Sequence, residues 1–341
     1  MWKVLLVAGV FGLGLVACCT RRPVPPGEAL RFRSAVPLTS DAEALLRYAE
    51  TSTLLSIDDL VLKRANRIPE QRRHGIGPIP KVAGHSRGGV TGRETVRVRG
   101  WVRMDFDTET GDLVVLLNSV NIELDDELVR EDSLTPTMDS ANVSALGESV
   151  FCRVAGHVRD QFVPIAGGPL WQPRNPVLGV TWSRWYYRWV RMHGTFRYYY
   201  DLAGVTVHDR YGLDTWMMNY FSTPPDSTAV LVTKEHAIRL ALEGITTARP
   251  RWEASDQPLD HVTGIKAAEL WIVNPNWWYA DRVGGSREAK DLPTNSSTRL
   301  AWVCEMELDI ETRKQFEGDR PTIWIDAATG EVLGGDMHPG F

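Results

Sequence analysis

Several familiar signatures are missing from this chain. It has no histidine pair at H-x-x-x-H spacing, no C-x-x-C pair and no G-x-x-x-x-G-K-[ST] loop. The commonest zinc and nucleoside-triphosphate sites are therefore not written in it. Cysteine is scarce, with four residues, two of them adjacent as Cys18 and Cys19. Only Cys152 and Cys304 remain in the body, too few for a disulfide framework. A large excess of one charge is also lacking: 38 basic and 43 acidic side chains leave a net charge of −5. That balance gives no reason to expect a nucleic-acid partner. The N-terminal apolar run, Val4–Ala17, stops at 14 residues, short of a membrane-spanning helix. Tryptophan, by contrast, is abundant, with 13 residues. Indole needs burial or a ligand, so either the core or a binding surface is rich in aromatic rings.

Met1-Trp2-Lys3 and the apolar run read as the n- and h-regions of a secretory signal. The run ends Leu15-Val16-Ala17-Cys18, which resembles the lipobox of bacterial lipoproteins. The resemblance implies a signal peptide over 1–17, lipidation of Cys18 and an extracytoplasmic, membrane-anchored location. Residues 18–39 are rich in Pro and Arg without periodicity and read as a tether. An oxidising compartment permits a Cys152–Cys304 bridge, but Cys304 falls on the apolar side of a strand pattern and Cys152 off the apolar stripe of a helix. The patterns favour two separate thiols.

Beyond the tether, a helix followed by strands occurs three times. Ser40 and Glu43 form a capping box before a helix whose apolar residues are Ala42, Leu45, Leu46 and Ala49. "TVRVRGWVRMDFD" places Val96, Val98, Val102, Met104 and Phe106 on one face, as in a half-buried strand. The second helix aligns Val143, Leu146, Val150, Val154 and Val158, and its strands turn at His193-Gly194. The third begins after Thr233, turns Ala237, Ile238, Ala241 and Leu242 inward, and has Gly244 as a stop. The expected units are 40–133, 134–226 and 227–341, with a basic, glycine-rich loop over 69–94 that is either solvated or meets an anionic partner.

The turns repeat as well. Asp107, Gly111 and Leu113 align with Asp326, Gly330 and Val332, with Thr110 matching Thr329. Gly212 holds the equivalent place in the middle segment. Asp at the start of such a turn accepts backbone N–H groups, and Gly supplies a positive φ, so these are structural residues. "VLVTKEHAIRLAL", "RLAWVCEMEL" and "TIWIDAATGEVL" together resemble PepSY-type domains over about 225–337, and the middle segment resembles related tandem modules more loosely. The resemblance implies an α+β fold of tandem units, each a helix packed on a curved antiparallel sheet (PepSY/cystatin-like). It also implies non-enzymatic binding of an extracytoplasmic protein, with restraint of a peptidase as the suggested role. It carries no catalytic residues, cofactor or metal.

Three other readings come from the residues themselves. "GHSRG" spells G-x-S-x-G around Ser86, the pattern of a hydrolase nucleophile elbow, but Pro78, Pro80 and Gly92 do not suit the strand and helix an elbow requires. Asp105–Asp112 superficially suggests a calcium loop, yet its Gly falls one position late for an EF-hand. In "TWSRWYYRWVRMHG", Trp185, Tyr187 and Trp189 share one face, while Trp182, Arg184, Tyr186 and Arg188 share the other. With Trp277 and Trp278 in "NPNWWYADR", these aromatics form either cross-strand packing or a partner-binding surface, for protein or for cell-wall glycan.

Overall fold

The computed structural model describes residues 38, 40–57, 79–87, 94–118, 120, 139–169, 184–208, 212–220, 222–252, 261–275, 298–309 and 319–339. Cys18, Trp277 and Trp278 lie outside them. In chain order the elements are α1 (Asp41–Leu55), β1 (Lys81–Arg87), β2 (Glu94–Arg99), β3 (Val102–Asp107) and β4 (Leu113–Asn118). There follow α2 (Ser140–Ala155), β5 (Phe162–Pro169), β6 (Arg184–His193), β7 (Phe196–His208) and β8 (Gly212–Met218). The last are α3 (Lys234–Trp252), β9 (Val262–Val273), β10 (Arg299–Leu308), β11 (Asp319–Asp326) and β12 (Val332–Pro339). The chain is thus a mixed α/β protein dominated by strands, with few helices. Its described residues fall into two compact units: one holds residues up to 87, 94–190 and 202–219, the other 191–201 and 220–339. Both 40–133 and 134–226 contribute to the first unit.

In the first unit the strand order is β1-β2-β3-β4-β8-β7, with β6 beside β7 and β5 beside β6. The register lines up one residue per strand: Val82, Val98, Met104, Leu116, Trp216 and Val205 lie directly opposite one another in turn. From Val98 to Val205 all are buried. Opposite residues in an antiparallel pair share a face, so this row is the apolar face of the sheet. Phe151 of α2 packs edge-on against Trp189 and Trp216, with ring centroids 5.1 and 5.4 Å apart. "TVRVRGWVRMDFD" is two strands rather than one. The chain reverses at Gly100-Trp101, and pairing Val96 with Phe106 and Val98 with Met104 keeps all five apolar residues on the same side.

α1 starts where the capping box places it, with Ser40 Oγ accepting from Glu43 N–H. Its buried face is not the expected one: Ala44, Arg47, Tyr48, Thr51 and Ser52 are buried, while Leu46 is 60 % exposed. The rotation follows from Tyr48, whose hydroxyl accepts from Val102 N–H at 3.3 Å. A Cβ at Gly100 would come within 2.7 Å of that oxygen, so the reversal has to be made by glycine. The 69–94 loop also needs correction. Residues 81–87 form β1, a strand paired with β2, with a bulge between Val82 and Gly84 where Gly84 has φ 147°.

In the second unit α3 packs on β9–β12 over Ala237, Ala241, Ile245, Ala268, Cys304 and Ile323. Gly244 does not end this helix. A Cβ there would meet Ile323 at 3.0 Å and Val332 at 3.1 Å, so the glycine permits close approach to the sheet and the helix continues to Trp252. Leu242 is 41 % exposed rather than inward. The other sheet face is apolar too, with Tyr199, Val273, Ala301, Val303 and Trp324 buried. The sheet is not wholly antiparallel, because the tip of β7 pairs in parallel with β9 through Arg197–Trp271 and Tyr198–Ile272. Cys152 is half-buried and Cys304 buried, and neither is bridged. Desolvation pushes the Cys304 thiol up to about 12, so it stays protonated and inert as a nucleophile.

The repeated turns are the same structure. Asp107 Oδ1 accepts from the N–H of Glu109 and Thr110, and Asp326 Oδ1 from those of Ala328 and Thr329. Gly111 (φ 71°) and Gly330 (φ 80°) donate back to the Asp carbonyl. The carbonyl after each Asp then receives the chain approaching a helix: Leu38 N–H to Thr108 O at 2.7 Å, and Val232 N–H to Ala327 O at 2.9 Å. Gly212 also has positive φ, at 72°. Burial acts to raise the Asp326 carboxyl, but the Thr329 and Ala328 N–H groups and the Arg299 guanidinium outweigh it and hold it below the ordinary Asp value. Its stabilisation is therefore present above the unfolded-state value near 3.9 and is lost as pH falls through the lower native one. Asp326→Ala, which leaves those donors without their acceptor, is expected to cost about 2–3 kcal/mol. Calorimetric melting toward pH 2 should fall more steeply for the wild type than for Asp326→Asn. Parallel curves would mean that the carboxylate contributes nothing.

Candidate functional site

The first unit's sheet has a second face, with a different chemistry. Two rows run across it. Lys81, Arg99, Arg103, Leu117 and Thr215 are successive opposite residues, as are Gly84, Arg97, Asp105, Val115 and Met217. The alternation that sends the valines of "TVRVRGWVRM" inward sends its arginines here. Asp105 is only 4 % exposed and accepts from both neighbouring guanidiniums, from Arg103 at 2.9 and 2.5 Å and from Arg97 at 3.1 and 3.2 Å. Burial acts to raise its carboxyl, but the Arg103 and Arg97 bonds prevail and hold it below the usual carboxylate range. One carboxylate thus stands among four cations. Lys81 and Arg99 have no ion-pair partner among the described residues. Arg99 and Arg103 lie directly opposite each other, a like-charge pairing that disfavours the sheet. Beside the cations the rows turn apolar, with Val115 and Leu117 half-buried and Met217 49 % exposed.

The aromatic strand is divided between core and surface. Trp189 is fully buried, and its indole N–H donates to Glu148 Oε1 at 2.8 Å, so it presents nothing to a partner. Tyr187 is half-buried against the Trp189 ring (4.7 Å) and beside Gly147 and Gly167, whose missing side chains make room for it. Trp185 is half-buried. On the opposite face Arg188 lies 5.2 Å from the Tyr186 ring and beside Gly204, in the same row as Met217.

Ser86 lies in β1, in extended backbone rather than at a strand-to-helix turn. Its hydroxyl is 3.0 Å from Thr95 Oγ1 on β2. His85 points to the other face and sits 3.3 Å from Asp41 and 3.4 Å from Glu94. Histidine and serine are therefore neighbours in sequence on opposite sides of a strand, and His85 does not reach the Ser86 hydroxyl to activate it. Asp105 and Asp107 are committed to Arg97, Arg103 and the hairpin backbone, which answers the resemblance to a calcium loop.

The second unit contains a buried polar cluster that the sequence did not single out. Arg191 donates to Asp201 Oδ2 and to the Ser222 carbonyl, each at 2.6 Å. Ser222 meets Asp201 through its hydroxyl at 2.7 Å and its N–H at 3.2 Å. The guanidinium also lies 4.4 Å from the Tyr198 ring and 4.2 Å from that of Tyr220. Desolvation pushes the Asp201 carboxyl up against the opposing Ser222 and Arg191 bonds. Arg191, Asp201 and Ser222 are bonded to one another, which makes the cluster a structural tie between the β6–β7 tip and the chain after β8.

No family model matches the chain, and no curated protein matches it. A search of solved structures returns the Bacillus megaterium YpeB C-terminal domain, 10 % identical, covering 82 % of this chain and 96 % of that one, with a TM-score of 0.33. At that score the likeness supports no conclusion about function.

Two substitutions separate core from surface. Asp201→Ala strands the Arg191 charge in the interior and is expected to destabilise by about 3–5 kcal/mol. Ser86→Ala should stay within about 0.5 kcal/mol of wild type. Urea denaturation of both variants measures this, and a destabilised Ser86→Ala would show that the hydroxyl has a role not accounted for.

Proposed function

We propose that the chain is an envelope lipoprotein of tandem PepSY-like modules, each a helix on an antiparallel sheet. It is anchored through Cys18, and it binds and restrains an extracytoplasmic protein such as a peptidase without catalysing a reaction itself. The observation that carries this reading is a turn motif repeated in the two units. An Asp-x-x-Thr-Gly hairpin closes with the same hydrogen bonds in each, and the carbonyl after the Asp holds the chain leading into a helix. Repeated helix-and-hairpin modules with extensive sheet surface suit the gripping of an extended segment, by edge pairing or across a face. The arrangement around Ser86 favours the non-catalytic part, because among the described residues its hydroxyl meets Thr95 rather than a base. The burial of Trp189 leaves the glycan alternative with fewer of its aromatic residues.

Two measurements test the reading. Cys18→Ala should move the protein from the membrane pellet to the soluble envelope fraction, and an unchanged pellet would argue against a lipid anchor. A pull-down from native envelope with the tagged full chain should recover a peptidase whose turnover falls on adding the purified chain. Retention of cell-wall polymer and no protein would replace this reading with the glycan one.

A further inference from the structure

We infer that the cationic face of the first unit's sheet is the docking surface, and that its occupant is an acidic segment of the partner protein in which carboxylates alternate with large apolar side chains. This rests on the protein-binding reading above.

Lys81, Arg99 and Arg103 occupy one row across three adjacent strands. Neighbouring strands lie about 4.8 Å apart, so the three charges are brought together by the register itself. Asp105 answers Arg103 and Arg97 but leaves Arg99 and Lys81 without a counter-charge among the described residues. A like-charge row that folding disfavours becomes favourable once carboxylates cover it. Arg97 and Arg103 already hold one carboxylate in two-pronged fashion, and Arg99 beside them offers the same planar fork. The apolar requirement comes from the continuation of both rows. Leu117 follows Arg103, and Val115 and the exposed Met217 follow Asp105. Asp105 also selects among anionic partners. It sits within the patch and opposes a uniformly anionic surface such as a lipid headgroup layer, whereas discrete carboxylates can be placed around it.

The test uses the full chain in mild detergent and a dye-labelled heptapeptide of alternating Glu and Leu, followed by fluorescence anisotropy. Its Lys–Leu counterpart and dihexanoyl-phosphatidylglycerol serve as controls. The acidic peptide should bind, weaken as salt rises, and bind about tenfold or more weakly to Lys81→Gln/Arg99→Gln. That double variant should melt at or above the wild-type temperature, since it relieves the like-charge row and removes no described ion pair. Equal affinity for wild type and variant would overturn the proposal. So would stronger binding of the phosphatidylglycerol, which would reassign the face to lipid. If a peptidase is captured from the envelope equally by wild type and double variant, the protein-binding reading stands and this face is not its site.

Discussion

A carboxylate oxygen that receives two backbone N–H groups closes the β3–β4 and β11–β12 hairpins, and much else follows from it. Asp107 and Asp326 tighten the turn. Glycine two residues after the first of those N–H donors lets the chain take the left-handed step. The carbonyl just past each Asp is thereby held where the chain that leads into α1 or α3 can bond to it. The same carbonyl-bearing residues, Thr108 and Ala327, donate their N–H to Glu94 and Leu300 at the start of the preceding strand. One short motif therefore fixes hairpin geometry, strand alignment and helix start together.

Given that alignment, the two-residue period of a strand separates chemistries with no further instruction. In the first unit Val96 and Val98 of β2 and Val102, Met104 and Phe106 of β3 are buried on one face, and Arg97, Arg99, Arg103 and Asp105 between them carry charges. The result is one sheet with a hydrocarbon face and a cationic face, the latter partly neutralised by Asp105. The second unit differs: both faces of its sheet bury aromatic or aliphatic residues, with Trp324 and Tyr199 opposite the side covered by α3. The first unit has an aromatic cluster of its own, in which Phe151, Trp189 and Trp216 pack together.

The candidate site was only half legible in the sequence. The arginines of "TVRVRGWVRM" are visible there, and their alternation with valine predicts that they share a face if the stretch stays extended. What cannot be read is that the stretch folds back at Gly100-Trp101, which sets Arg99 opposite Arg103, or that β1 brings Lys81 to the same row. Those are matters of register between segments, and register depends on pairings that no local pattern encodes. Trp189 illustrates the converse. Its neighbours Trp185 and Tyr187 share its face by alternation, but whether that face is covered depends on α2, more than thirty residues earlier in the chain.

Local chemistry determined the caps at Ser40 and Thr233, the Asp-Gly turns, the His193-Gly194 reversal and most strands, because each rests on contacts within a few residues. Tertiary structure alone decided the rotation of α1, the continuation of α3 through Gly244, the conversion of part of a supposed basic loop into β1, and the burial of the Arg191–Asp201 pair. Each of these turns on a partner distant in sequence: Tyr48 on Val102, Gly244 on Ile323, Val82 on Val98, Asp201 on Ser222. The difference is one of range: a hydrogen bond closed within a turn is specified by the residues that make it, whereas a helix face or a strand register is specified by whatever surface arrives to meet it.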